Sequence, residues 1–217
     1  MDPDNTVVGL CTQGMRAEAD GRDDDARALF EQAWHATADD YEACVAAHYL
    51  ARHQPTPEET LHWNQVCLDR AERVGDERVA GFYSSLHANL ARANRELGRT
   101  AAARRHFELA AGHLGAVPAG QYRDWMRYGI AQGLRDTGAV KQDGAGARLE
   151  ALLHAFCTRH DLRSLCLLLP AYLGDLGTAG DRERLAIALR MLHAEKRLPD
   201  GEQRALAELV GGHDRAR

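Results

Sequence analysis

The sequence predicts an all-α fold, an α-solenoid of antiparallel helix pairs with a C-terminal helical cap, and three observations predict it. The stretch Gly21 to Ala33 (GRDDDARALFEQA) returns as Gly98 to Ala110 (GRTAAARRHFELA). In both, a Gly is followed by Ala five residues on, Phe four after that and Ala three later. Small residue and Phe share one helix face, and the second Ala continues it. Helix start and stop signals recur at short intervals throughout the chain. No segment alternates at period two with β-branched residues, so no strand is expected.

The elements follow in order. The first helix runs from about Asn5 to Asp20, where Gly21 can take the left-handed cap conformation. Asp23 starts the second, its acidic residues complementing the positive end of the helix dipole. Asp39-Asp40-Tyr41-Glu42 has capping-box spacing and opens the third. Thr56-Pro57-Glu58-Glu59 opens the fourth, with Pro at the first helical position. Gly75-Asp76 closes that helix and begins a fifth, expected to last to about Leu97. The sixth spans Ala101 to Leu114 and, after a break containing Pro118, the seventh spans Gln121 to about Thr137. Four more are expected at about 147–160, 162–176, 182–196 and 201–210, with Asp161, Asp181 and Asp200 as caps.

Small residues set a repeat frame. Gly14, Gly21, Ala26, Phe30 and Ala33 fall at the same offsets as Ala91, Gly98, Ala103, Phe107 and Ala110. His48, Thr60, Asn64 and Cys67 take the corresponding slots of a degenerate repeat between them. On these residues, 6–114 resembles three tetratricopeptide repeats, and the whole resembles small actinobacterial proteins of that family. The large aromatic that commonly opens the motif is replaced by Leu10, Cys44 and His87. The expected organisation is residues 1–138 as repeats plus one extra helix, 139–146 as a loop, and 147–217 as a cap packed on the repeats. A solenoid needs such a cap to cover its last apolar face. The nearly all-round apolar helix with Leu165, Leu167, Leu168 and Leu169 is central to it, and the same helices are a candidate homodimer surface.

Composition narrows the function classes. Charged residues are 27% of the chain, net charge is −5, and Lys stands only at 141 and 196. A nucleic-acid surface spread over the molecule is therefore not expected. No apolar run has membrane-spanning length, and the start lacks a signal peptide's pattern, so a cytoplasmic protein is expected. The Ala, Arg and Gly bias is that of a GC-rich bacterial genome. Five cysteines without a Cys-x-x-Cys pair read as reduced core thiols.

The resemblance implies that first helices line a concave wall. By that geometry Cys11, Met15, Glu18, Val45, Ala88 and the candidate partner-binding set Tyr49, Arg52, Asn89, Arg92 and Arg95 face it, extended by Trp125 and Tyr128. Aromatic surface with guanidinium forks suits an extended peptide carrying carboxylates. The family's terminal-carboxylate clamp is not matched, since Cys11 and Met15 stand where it needs polar side chains and Asn89 is alone. The implied function is a protein- or peptide-binding adaptor without catalytic activity. No cofactor motif occurs: Gly144-Ala145-Gly146 lacks the strand, third Gly and Lys of a nucleotide loop. The alternative is a helical cup holding a small molecule or metal, with His, Tyr49, Trp63 and Trp125 as its lining and catalysis as its use. His154-x-x-Cys157-x-x-His160 supplies zinc-type ligands, though at no established spacing, and no metal ligand set is assigned.

Overall fold

Most helix termini lie where the sequence punctuates them. In the computed structural model, which describes residues 5–139 and 144–215, α1 (Thr6–Ala19) begins behind Asn5, whose side chain accepts the Val8 amide. Gly21 takes φ +74°, open to glycine at little cost, and the chain turns back into α2 (Asp23–His35). Asp39 caps α3 (Asp40–Leu50) by accepting the Glu42 amide. A single 3₁₀ turn, Ala51–His53, leads to α4 (Pro57–Val74), capped by Thr56 and opened by Pro57.

The helix expected from 76 to 97 is two helices. α5 (Glu77–Ala80) ends in a turn that the Phe82 amide closes onto the Val79 carbonyl, and α6 (Tyr83–Glu96) follows. Gly81, the weakest helix former of this segment, sits at the break. α7 (Thr100–His113) follows Gly98 at φ +71°, and after a 3₁₀ turn, Leu114–Ala116, comes α8 (Gln121–Asp136). Of the expected loop 139–146, residues 140–143 lie outside the described residues, and Gly144 already belongs to α9 (Gly144–Thr158). α10 (Leu162–Leu173), α11 (Ala179–Glu195) and α12 (Asp200–Arg215) complete the chain. Asp161 caps α10 as expected, but α11 is capped by Thr178, with Asp181 as the third helical residue of a reciprocal capping box. The described residues contain no strand.

The chain divides into two compact units, Met1–Met126 and Arg127–Arg217. In the first, α1 packs on α2, α2 on α3, α3 on α4, α4 on α6 and α6 on α7. The second helix of each pair thus meets the first helix of the next. Ala26, Phe30, Ala33, Ala103, Phe107 and Ala110, the small-residue and Phe frame of the repeats, are all buried. Gly14 has no side chain because Phe30 fills its place: an added Cβ would lie 2.3 Å from the ring.

In the second unit, α9 packs on α10, α10 on α11 and α11 on α12, while α12 returns to α9. Leu152, Phe156, Leu168, Leu189, Leu192 and Leu206 are core members of that group. The apolar α10 therefore finds its cover inside its own unit, through Leu165 and Leu168. Asp181 is 1% exposed. It accepts from the Arg127 and Arg184 guanidinium groups, from the Thr178 hydroxyl and from the Leu176 and Thr178 amides. A buried carboxylate needs this degree of pairing to stay charged. Cys157 and Cys166 are exposed, contrary to the expectation of five core thiols. Leu152, Leu153 and Phe156 take the inward face of α9, and Leu165 and Leu168 that of α10, leaving each cysteine outside.

Candidate functional site

α3 presents Val45, His48 and Tyr49 on one face, as spacings of three and four require. Across from them stand Gly81, Phe82, Ser85 and Leu86, from the α5–α6 turn and the start of α6. Val117, Pro118 and Tyr122 close the far side. Together they enclose a pocket of about 330 Å³. That volume accommodates one large apolar or aromatic group, and the lining includes no carboxylate, Lys, Arg or Cys.

Tyr49 is a fixed wall of this pocket. Its ring stacks on buried Phe30 at 5.3 Å between centroids, and the Arg52 guanidinium lies over it at 4.9 Å. Arg52 in turn donates to Glu18 at 2.7 Å, and Glu18 also meets His53 Nε2 at 3.2 Å. Burial, with the Arg52 charge adding to it, lowers the His48 pKa to about 4, so at neutral pH this imidazole is uncharged. Burial pushes the Tyr49 phenol up, keeping it a neutral hydroxyl.

An aromatic shelf borders the pocket. Tyr122, one of the pocket residues, stacks on Trp125 at 6.0 Å, and the two are 56% and 61% exposed. The Arg92 guanidinium stands 5.9 Å from the Trp125 ring and donates to Asn89 Oδ1 at 2.9 Å. Both partners are neutral, and among the described residues no carboxylate pairs with it. Burial, then the Arg95 charge, holds its pKa below the usual arginine range. The Glu96 charge acts on it only at longer range, and a half-buried guanidinium on an indole with no carboxylate in direct contact favours an incoming one.

The set expected from sequence thus separates. Tyr49, Asn89, Arg92 and Trp125 lie in or beside the site. Arg52 is committed to Glu18 and Tyr49, and Arg95 is exposed on α6. Tyr128 is half-buried in the second unit. Cys11 and Ala88, expected on the open wall, are buried. Sequence reasoning gave no site role to Tyr122, Phe82, His48 (read as a repeat slot) or Pro118 (read as a helix break). The available signal was Tyr122 three residues before Trp125, which puts both on one face of α8.

Two further clusters lie in the first unit. His87 Nδ1 is 3.2 Å from His106 Nδ1, and the His87 ring stacks on His113 at 5.6 Å. Burial, then the neighbouring imidazoles, lowers the His87 pKa to about 4. Among the described residues no three His, Cys, Asp or Glu side chains are grouped so as to hold a metal ion, His154 and Cys157 included. The second cluster is the pair Cys44 and Cys67, 3.7 Å apart and both fully buried. No helix among the described residues is long and apolar enough to cross a membrane.

No protein-family model matches the chain, and comparison with curated proteins and with solved structures returned no match.

Proposed function

We propose that the first unit is a tetratricopeptide-like helical scaffold that captures an extended segment of a partner protein. The stepwise packing of α1 to α7, with Phe30 and Phe107 at equal offsets in the first and third pairs, supports the scaffold. One observation carries the binding role: the exposed Tyr122–Trp125 stack beside Arg92, opening onto an apolar pocket. Exposed stacked aromatics with an arginine are the side chains that dominate binding energy at interfaces. The segment they suit places one apolar or aromatic side chain in the pocket and a carboxylate at Arg92.

A displayed library of random peptides tests this. Selection on the intact protein should enrich sequences with an aromatic or large aliphatic residue near Asp or Glu. Trp125→Ala and Arg92→Ala should each weaken capture at least tenfold while helicity stays unchanged. Binders indifferent to both substitutions, or no enriched sequence at all, would refute the role.

A second reading rests on the pocket alone. His48, Tyr49, Ser85 and Tyr122 bring polar atoms to a mostly apolar cavity, the usual make-up of a small-molecule site. Such a ligand would be lost with Val45→Phe, which fills the pocket, and would survive Arg92→Ala.

A further inference from the structure

We propose that Cys44 and Cys67 form an oxidisable dithiol, which a hydroperoxide converts to a disulfide tying α3 to α4 behind the binding pocket. The inference rests on the helix interface and stands whether or not the pocket takes a peptide.

The two residues face each other across the α3–α4 contact. Their Sγ atoms are 3.7 Å apart, and the Cys67 thiol also lies 3.1 Å from the Cys44 carbonyl oxygen, to which it can donate. Among the described residues this is the one pair of thiols in contact. A disulfide needs about 2.05 Å between sulfurs, so the atoms must close by rather less than 2 Å. Both cysteines belong to one buried cluster with Ala47, Ala71, Leu68 and Leu86, so the closure is a movement within the α3–α4 packing. The other three cysteines sit elsewhere: Cys11 is buried on α1, and Cys157 and Cys166 are exposed in the second unit.

The pair is chemically unequal. The contact with Cys67 pulls the Cys44 pKa down, whereas that same contact and burial push Cys67 well up. Cys44 is thus the attacking sulfur and Cys67 the resolving one. The Cys44 thiolate attacks one peroxide oxygen; the O–O bond breaks, the leaving oxygen takes up the proton that Cys44 gave up, and a sulfenic acid remains. Cys67 then attacks that sulfur, the S–O bond breaks, and the Cys67 proton leaves with the hydroxide as water. Two thiols lose two electrons in all, and hydrogen peroxide is reduced to two waters. Hydrogen peroxide is close to water in size, so local opening of the α3–α4 contact is enough to admit it.

Val45, His48 and Tyr49 project from α3 into the pocket, so the bridge would fasten the helix that carries one whole pocket wall.

The test uses the full chain and hydrogen peroxide, followed by denaturation, alkylation and mass spectrometry. After mild oxidation, the expected product has a Cys44–Cys67 cross-linked peptide, an alkylatable Cys11, and a melting temperature raised by on the order of 5 °C. Dithiothreitol should reverse both changes, and Cys67→Ser should abolish them. Exposed Cys157 and Cys166 report that the dose was effective. If those two are oxidised while Cys44 and Cys67 remain fully alkylatable, the proposal fails. A Cys44 carried to sulfinic acid without a cross-link would also overturn it, as would a cross-link formed equally well in denaturant and not faster in the folded chain.

Discussion

Gly14→Ala should destabilise the first unit, while Gly9→Ala, five residues earlier on the same helix, should stabilise it. Both glycines lie inside α1, where replacing Gly by Ala contributes about 1 kcal/mol through helix propensity alone. At Gly9 an added Cβ meets nothing within 4 Å, so that gain is realised. At Gly14 the same atom would lie 2.3, 2.7 and 2.8 Å from three carbons of the Phe30 ring. Carbon atoms rest at about 3.5–4.0 Å, so ring or helix must retreat by more than an ångström. The ring is fully buried and held by Tyr49 and His53, each 5.3 Å away between centroids. Overpacking of this kind costs about 2–3 kcal/mol. The net at Gly14 is therefore a loss of about 1–2 kcal/mol, and the two variants should differ by about 2–3 kcal/mol. Ala91 at the same offset in the third pair indicates that such a pair can be built around a methyl group, so the cost at Gly14 is that of moving α1 to do so. Urea titrations of both variants beside the natural chain, followed by far-UV circular dichroism, give the comparison. Shrinking the ring with Phe30→Leu should remove the Gly14→Ala penalty, the coupling that direct contact requires. If Gly14→Ala raises the midpoint as far as Gly9→Ala does, Phe30 is not seated under Gly14 and the α1–α2 packing is wrong.

Phe107→Ala, at 1% exposure, should cost about 3–5 kcal/mol in the same titration; a loss below about 1 kcal/mol would mean that the repeat frame does not describe the core. Acid should weaken the fold through His87, whose pKa falls from 6.5 to about 4 on burial. The unfolded chain binds more protons between those values, so this contribution is complete above pH 6.5 and shrinks as pH falls toward 4. His87 alone accounts for a loss of about 2 kcal/mol by about pH 5, and His87→Gln should make the profile shallower by that share while His48, with its own pKa of about 4, keeps the rest; equal acid sensitivity in the two proteins would refute it.

What the sequence made legible was local. Asn5, Asp39, Thr56 and Asp161 cap helices within three residues of themselves, and Gly21, Gly75 and Gly98 stop them by backbone conformation. The Phe30 and Phe107 positions follow from periodicity. Asp181 misled because an acid suits both the cap and the third helical position of a capping box, and here Thr178, with the extended backbone, holds the first of those places. Gly81 breaks its helix by competition between a weak preference and distant packing, which no short window contains. The site was the least legible part. Its lining runs from Val45 to Tyr122, so its shape depends on how three helix pairs meet, and Tyr122 gains its meaning only beside Pro118 and Tyr49. The burial of Cys44 and Cys67, and the exposure of Cys157 and Cys166, likewise depend on which neighbours each helix finds.

The three tryptophans are placed so that the protein carries its own optical reporter. Trp34 and Trp63 meet edge to face at 5.0 Å, half-buried between α2 and α4. Trp125 is 61% exposed and stands on the shelf. Its emission in water lies to the red of the other two, and a dissolved quencher such as iodide reaches it first. Anything that settles on Tyr122 and Trp125 must strip water from that indole, shifting its emission to the blue and shielding it from the quencher. The half-buried Trp34–Trp63 pair is less open to the quencher and provides the background. Occupancy of the surface can thus be read from the unlabelled chain, one residue distinguishing the bound form from the free.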